Sequence, residues 1–182
     1  MTPAQRAMAT WVGALARGGV FDDPDGEAAA GEAVAAFVVG EPALNALRRW
    51  FEQASFEVAT RERRAAVEAC VLMARADRRI SPEERELLED IAAESGLPDE
   101  HVEALRAMIA GDGPAPEVAG LEDRLTQPVL RELIVALAWE LALADASIDP
   151  AETRFFDALA QRLGVSPARA SELKDAVSSR VG

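Results

Sequence analysis

The C-terminal two-thirds of this 182-residue chain states one pattern twice. Arg75-Ala76-Asp77-Arg78-Arg79-Ile80-Ser81-Pro82-Glu83-Glu84 returns 68 residues later as Leu143-Ala144-Asp145-Ala146-Ser147-Ile148-Asp149-Pro150-Ala151-Glu152. The correspondence continues outward at the same offset. Val67, Ala74, Ala92, Gly96 and Leu105 fall on Val135, Ala142, Ala160, Gly164 and Leu173. A period of this kind marks one supersecondary unit used twice. A single unit of that size leaves an apolar face open, and a second copy can cover it.

The units read as helical. Val67, Cys70, Val71 and Ala74 recur at helical spacing, as do Leu130, Leu133, Ile134, Leu137 and Leu141. Ser81-Pro82-Glu83-Glu84 and Asp149-Pro150-Ala151-Glu152 are helix starts: a capping residue, proline in the first turn, and glutamate at the third helical position. Gly96 and Gly164 are the matching stops. Alanine, leucine, glutamate and arginine dominate, all good helix formers, and the Val/Ile/Thr alternation of strands is missing. The expectation is an all-α bundle of about eight helices.

Residues 60–182 are expected to hold the two repeats, 60–110 and 128–180, joined by a Gly/Pro-rich linker over 110–127. The first repeat is expected to begin near Thr60. Residues 1–59 form an N-terminal helical segment packed on the same domain. Within it, helices are predicted over 4–17 (Met8, Trp11, Val12 and Leu15), Glu27–Val39 with Val34, Phe37 and Val38 inward, and Glu41–Gln53.

Charge narrows the partners. The formal net charge is −13, from 32 acidic and 19 basic residues. Phosphate binding needs a basic face, so a nucleic-acid role is excluded. No apolar run approaches transmembrane length and no signal-peptide pattern opens the chain, so no direct membrane insertion is expected and the cytoplasm is the expected compartment. Cys70 is the one cysteine, which leaves no intrachain disulfide or thiolate cage, and it reads as a small core residue.

Two groups of acids are candidates for binding. Asp77 and Asp145 each close a helix, where the macrodipole disfavours a negative charge. Either they accept backbone N–H bonds and shape the turn, or they hold a cation. Glu84 and Glu152 follow across the turn. Either they cap the next helix, or with the aspartates they offer oxygen ligands to Ca²⁺ or Mg²⁺. The turns are too short for an EF-hand, and the Asp22-Asp23-Pro24-Asp25 loop also misses its spacing. The second group is the run from Glu83 to Glu103, with nine acids against the single base Arg85. Glu83, Glu86, Glu89 and Asp90 are its candidate partner-binding residues; the alternative is a solvated face, with Arg61, Arg63 and Arg64 answering part of the charge. The lone His101 lacks any second ligand or nucleophile, and no catalytic motif stands out.

At the repeated turns the chain resembles the tellurite-resistance TerB family, whose paired units have the form A-D-G-x-I-x-x-x-E followed by an apolar helix and a leucine-glycine stop. The matching stretches are Ala76 to Glu84 with Ser95-Gly96-Leu97, and Ala144 to Glu152 with Leu163-Gly164-Val165. Arg78 and Ala146 replace the glycine after each aspartate. The resemblance covers about residues 60–180. It implies a non-enzymatic, all-helical, stress-linked protein. Its acidic turn residues, here Asp77, Glu84, Asp145 and Glu152, would bind metal, and it would act as an interaction module beside a basic or membrane-associated protein. Two other functions stay open from the residues alone: an enzyme using paired carboxylates as acid and base, and a purely structural subunit.

Overall fold

Proline and glycine set most of the helix boundaries. A computed structural model describes residues 27–76, 80–112, 117–144 and 148–181. The helix expected over 4–17 and the acidic loop at 22–25 lie outside the described residues. Helix α1 (Glu27–Val39) ends at Gly40, whose φ of +91° suits glycine, and α2 (Glu41–Gln53) restarts with Pro42 in its first turn. Helix α3 (Phe56–Ala74) follows, then α4 (Pro82–Glu94) and α5 (Asp99–Ala110). A single turn, α6 (Leu121–Arg124), leads to α7 (Pro128–Ala144), α8 (Pro150–Arg162) and α9 (Pro167–Val181). The architecture is all-α, and there is no strand among the described residues. No described helix is long and apolar enough to cross a membrane.

Local structure keeps the sequence offset. Pro82 and Pro150 open α4 and α8, Glu94 and Arg162 close them, and Asp99 and Pro167 open α5 and α9, each pair 68 residues apart. Gly96 and Gly164 both take the left-handed conformation, at φ +66° and +72°.

The core is built around α3 and α7, which pack on each other more extensively than any other pair. Every residue from Ala65 to Ala74 is buried, and so is every residue from Leu133 to Ala142. Apart from Glu68 and Glu140 both runs are apolar, and a helix buried on all sides has to be surrounded. Helices α4 and α5 lie against α3, while α8 and α9 lie against α7. Helix α1 contacts α7 and α9, and α2 contacts α7, so Ala35 and Val38 of α1 and Leu47 of α2 join the same apolar cluster as Leu133 and Leu173.

Helix α3 begins at Phe56, because the Ser55 hydroxyl caps it by accepting from Val58 N–H at 3.3 Å. Within the segment between the repeats, Leu121 and Leu125, one turn apart on α6 and its end, are fully buried. One expectation needs correction. Phe37 is 60% exposed, whereas Ala35, Val38 and Val39 point inward. Helix α1 is apolar nearly all round, so its sequence gave no direction to the buried face.

Candidate acidic corners and their buried neighbours

Two corners, α3 to α4 and α7 to α8, hold the acids singled out by the repeat. Asp77 and Asp145 lie outside the described residues. The following helix starts are capping boxes in both cases. Ser81 N–H donates to Glu84 Oε2 at 2.7 Å, and Glu84 N–H donates to the Ser81 hydroxyl at 3.2 Å. Asp149 N–H donates to Glu152 Oε2 at 2.8 Å, and Asp149 Oδ1 accepts from Ala151 N–H at 2.6 Å. Glu84 and Glu152 are both buried, at 4% and 6% exposure. Their position is favourable for charge, since the first helical turn presents unpaired N–H groups and the positive end of the dipole.

The outer acids have a different setting. On α4, Glu86 and Glu89 are exposed and Asp90 is half-buried. The side chain of Glu83 is outside the described residues. On α5, Asp99, Glu100 and Glu103 are exposed as well. Arg106 takes Glu103 at 2.9 Å across this surface. Arg64 does not reach the outer acids. It donates to Glu68 at 3.0 Å and contacts His101 Nδ1 at 2.7 Å. A guanidinium only donates, so Nδ1 accepts and the ring carries its proton on Nε2, 3.8 Å from Glu100.

Sequence reasoning missed a second set of charged residues, centred on two buried carboxylates, Glu62 and Glu68. Glu62 is fully enclosed; Thr126 N–H donates to it at 2.9 Å, Gln127 N–H at 3.3 Å, and the Thr126 hydroxyl also donates. Glu68, 4% exposed, takes both Arg64 and Arg124. Arg131 donates to three carbonyls, those of Leu125, Glu122 and Leu163, at 2.5, 2.6 and 3.1 Å. Arg162 pairs with Glu122 at 3.0 Å. The Glu122 carboxyl lies below its ordinary range, first because its own backbone N–H bonds it and then because Arg162 stands beside it. These bonds tie α3, α6, α7 and α8 together. One signal was available: Glu62 sits on the same stripe as Ala59, Ala65, Ala66 and Ala69, where a charged side chain must find partners.

The inward carboxylates thus accept from backbone amides, a hydroxyl and guanidinium groups, and the outer ones face solvent. Among the described residues no group of three acids, histidines or cysteines stands close enough to hold a metal ion.

A family model described as tellurite resistance protein TerB matches residues 63–175. No curated protein and no solved structure matches the chain significantly. The matched stretch takes in more than half of the chain and runs from α3 into α9, through both capped corners. On that span, with an all-helical fold around it, this chain belongs to the tellurite-resistance TerB family.

Proposed function

We propose that the chain is a non-catalytic binding module of the cytoplasm, serving a tellurite-resistance-type stress response by docking a basic or membrane-associated protein on the outer face of α4 and α5. The observation that carries this reading is the division among carboxylates. Glu62, Glu68, Glu84 and Glu152 are turned inward and bonded, whereas Glu86, Glu89, Asp99 and Glu100 are exposed on neighbouring helices. An exposed field of one sign steers an oppositely charged partner and sets specificity. The acid/base alternative has less support, because a catalytic carboxylate needs a cleft and a proton to exchange, and these inward acids serve backbone amides, a hydroxyl or guanidinium groups. A net charge of −13 keeps nucleic acid and anionic lipid out of this reading.

The test is a charge reversal. A Glu86→Lys/Glu89→Lys chain and the native chain are crosslinked in their own cells, and partners are identified for each. The native chain should capture a protein that the reversed chain loses, with unchanged circular dichroism and melting temperature. Equal capture by both chains would remove this face from the function.

A second reading, a weak Ca²⁺ or Mg²⁺ site at the corners, is favoured by the placement of Glu84 and Glu152. Each ends at a helix start seven residues after an aspartate, Asp77 or Asp145. Millimolar Ca²⁺ at constant ionic strength should then raise the melting temperature, and Asp145→Asn should abolish the rise. An unchanged melting curve for the native chain would end it.

A further inference from the structure

One contact occurs twice in this fold, made from different chemistry each time. Arg64 of α3 meets His101 of α5, and Glu132 of α7 meets Arg169 of α9, each residue 68 positions from its counterpart. In the second case Arg169 donates to Glu132 Oε2 from Nη2 at 2.8 Å and from Nε at 3.1 Å. It also takes Glu172, from its own helix, at 2.8 Å. These carboxylates, Glu132 first, push the Arg169 pKa up, so the pair stays charged. In the first case the cation stands on α3 instead, and Arg64 Nη1 lies 2.7 Å from His101 Nδ1.

The substitution changes what a proton does. A protonated imidazole donates from both nitrogens and accepts at neither, so Arg64 can hold the ring only while it is neutral. Histidine ordinarily changes charge between about pH 5 and 8, where an arginine–glutamate pair has no titrating group. The surroundings do little to offset a charge on the ring. On α3, the carboxylate beside Arg64 is Glu68, whose second oxygen is taken by Arg124 of α6. On α5, Glu100 lies 3.8 Å from Nε2 but is 84% exposed, so solvent screens it. Glu103 is held by Arg106 at 2.9 Å, and Asp99 is exposed at the helix start. From α4, Arg85 donates to the Ile109 carbonyl at 3.3 Å, two turns along α5 from the ring. The α4 acids Glu86 and Glu89 are exposed and Asp90 is half-buried.

We propose that the Arg64–His101 contact is a proton-sensitive latch, which holds α5 on α3 while the ring is neutral and opens on acidification, whereas the Arg169–Glu132 contact keeps α9 on α7 throughout. The contact favours the neutral ring, so the stability it contributes is present at higher pH and is lost as pH falls. His101 is the one histidine of the chain, and no second imidazole blurs the response. The latch stands on this contact and does not need the docking reading. It acts, however, on the helix that carries Asp99, Glu100 and Glu103 of the outer face.

Amide hydrogen exchange on the full chain reads the two helices separately. Protection factors, which divide out the intrinsic pH dependence of exchange, are compared at about pH 7.5 and about pH 5.5. The α5 amides from His101 to Ile109 should lose about fivefold in protection at the lower pH, while those of α9 from Arg169 to Val177 change by less than about twofold. Easing of repulsion among the acids would act in the opposite sense, protecting α5. His101→Asn keeps an acceptor at the Nδ1 position and takes up no proton there, so its α5 should hold its protection at both pH values. Nitrogen spectra of the ring at about pH 7.5 should place its proton on Nε2. A ring proton on Nδ1, or equal loss of protection in α5 and α9, would overturn the latch. So would the same α5 loss in His101→Asn as in the native chain. The first two readings use the native chain, so they decide the matter even where His101→Asn folds poorly.

Discussion

With none of its surface exposed, the Glu62 carboxylate accepts from Thr126 N–H, the Thr126 hydroxyl and Gln127 N–H, tying the first turns of α3 to the segment that enters α7. Hydrogen bonds to a charged acceptor contribute more than neutral ones, and a buried donor left without a partner is destabilising in its own right. Glu62→Ala should therefore lose about 3 kcal/mol in urea unfolding at neutral pH; a loss below about 1 kcal/mol would mean that water replaces the carboxylate. Cys70 makes a prediction on the alkaline side. Its folded pKa is raised from 9.0 to about 12, so the fold favours the neutral thiol. The stability so gained is fully present below pH 9 and is lost as pH climbs from there toward about 12. The chain has no tyrosine, so few other groups titrate in that window. Melting curves from pH 8 to 11 should fall less steeply for Cys70→Ala than for the native chain. A parallel fall in both would place the alkaline loss elsewhere.

Among the elements, the helix ends carry the most specific information. Both capping boxes join a buried glutamate to the backbone N–H of the cap residue, so cutting either should shorten its helix start and weaken the corner. Ser81→Ala should cost about 1 kcal/mol, measured by denaturant midpoint. The opposite end of α8 offers a different test. Gly164 sits at φ +72°, and a Cβ there would meet Arg131 Nη1 at 3.7 Å, an ordinary contact. Backbone strain alone then sets the penalty, and Gly164→Ala should lose about 1 to 2 kcal/mol, with Gly164→Asn losing less. Equal losses for both variants would point to packing rather than conformation. Arg131 adds a tertiary reason for this corner: it holds the Leu163 carbonyl at 3.1 Å, just where α8 ends.

For the whole molecule, charge is the largest open term. A chain at net −13 repels itself, and its acids concentrate on α4 and α5. Salt screens that repulsion within about 10 Å at 0.1 M. Raising NaCl from about 20 mM to 0.3 M should add about 1 kcal/mol, or about 2–4 °C in melting temperature. The Glu86→Lys/Glu89→Lys chain should gain less from the same salt. A melting temperature indifferent to salt would show that the acids are already compensated within the fold. Ionic strength is held constant in the Ca²⁺ titration for the same reason, since unspecific screening also raises the curve.

What the sequence determined by itself was the helical class, the position of both capping boxes and the identity of the buried stripes. Each is a local property: capping needs residues three apart, a stripe needs a period of 3.6, and both are written in consecutive residues. Val67, Cys70, Val71 and Ala74 on α3, like Leu130, Leu133, Ile134, Leu137 and Leu141 on α7, are buried as their spacing predicts. The tertiary structure alone decided that Phe37 faces out, that Leu121 and Leu125 are core, and that Glu62 meets Thr126 from 64 residues away. It alone turned Arg64 to Glu68 and His101 instead of the outer acids. Such contacts depend on which helices become neighbours, and no local period encodes the partner that a polar side chain finds across a packed interface.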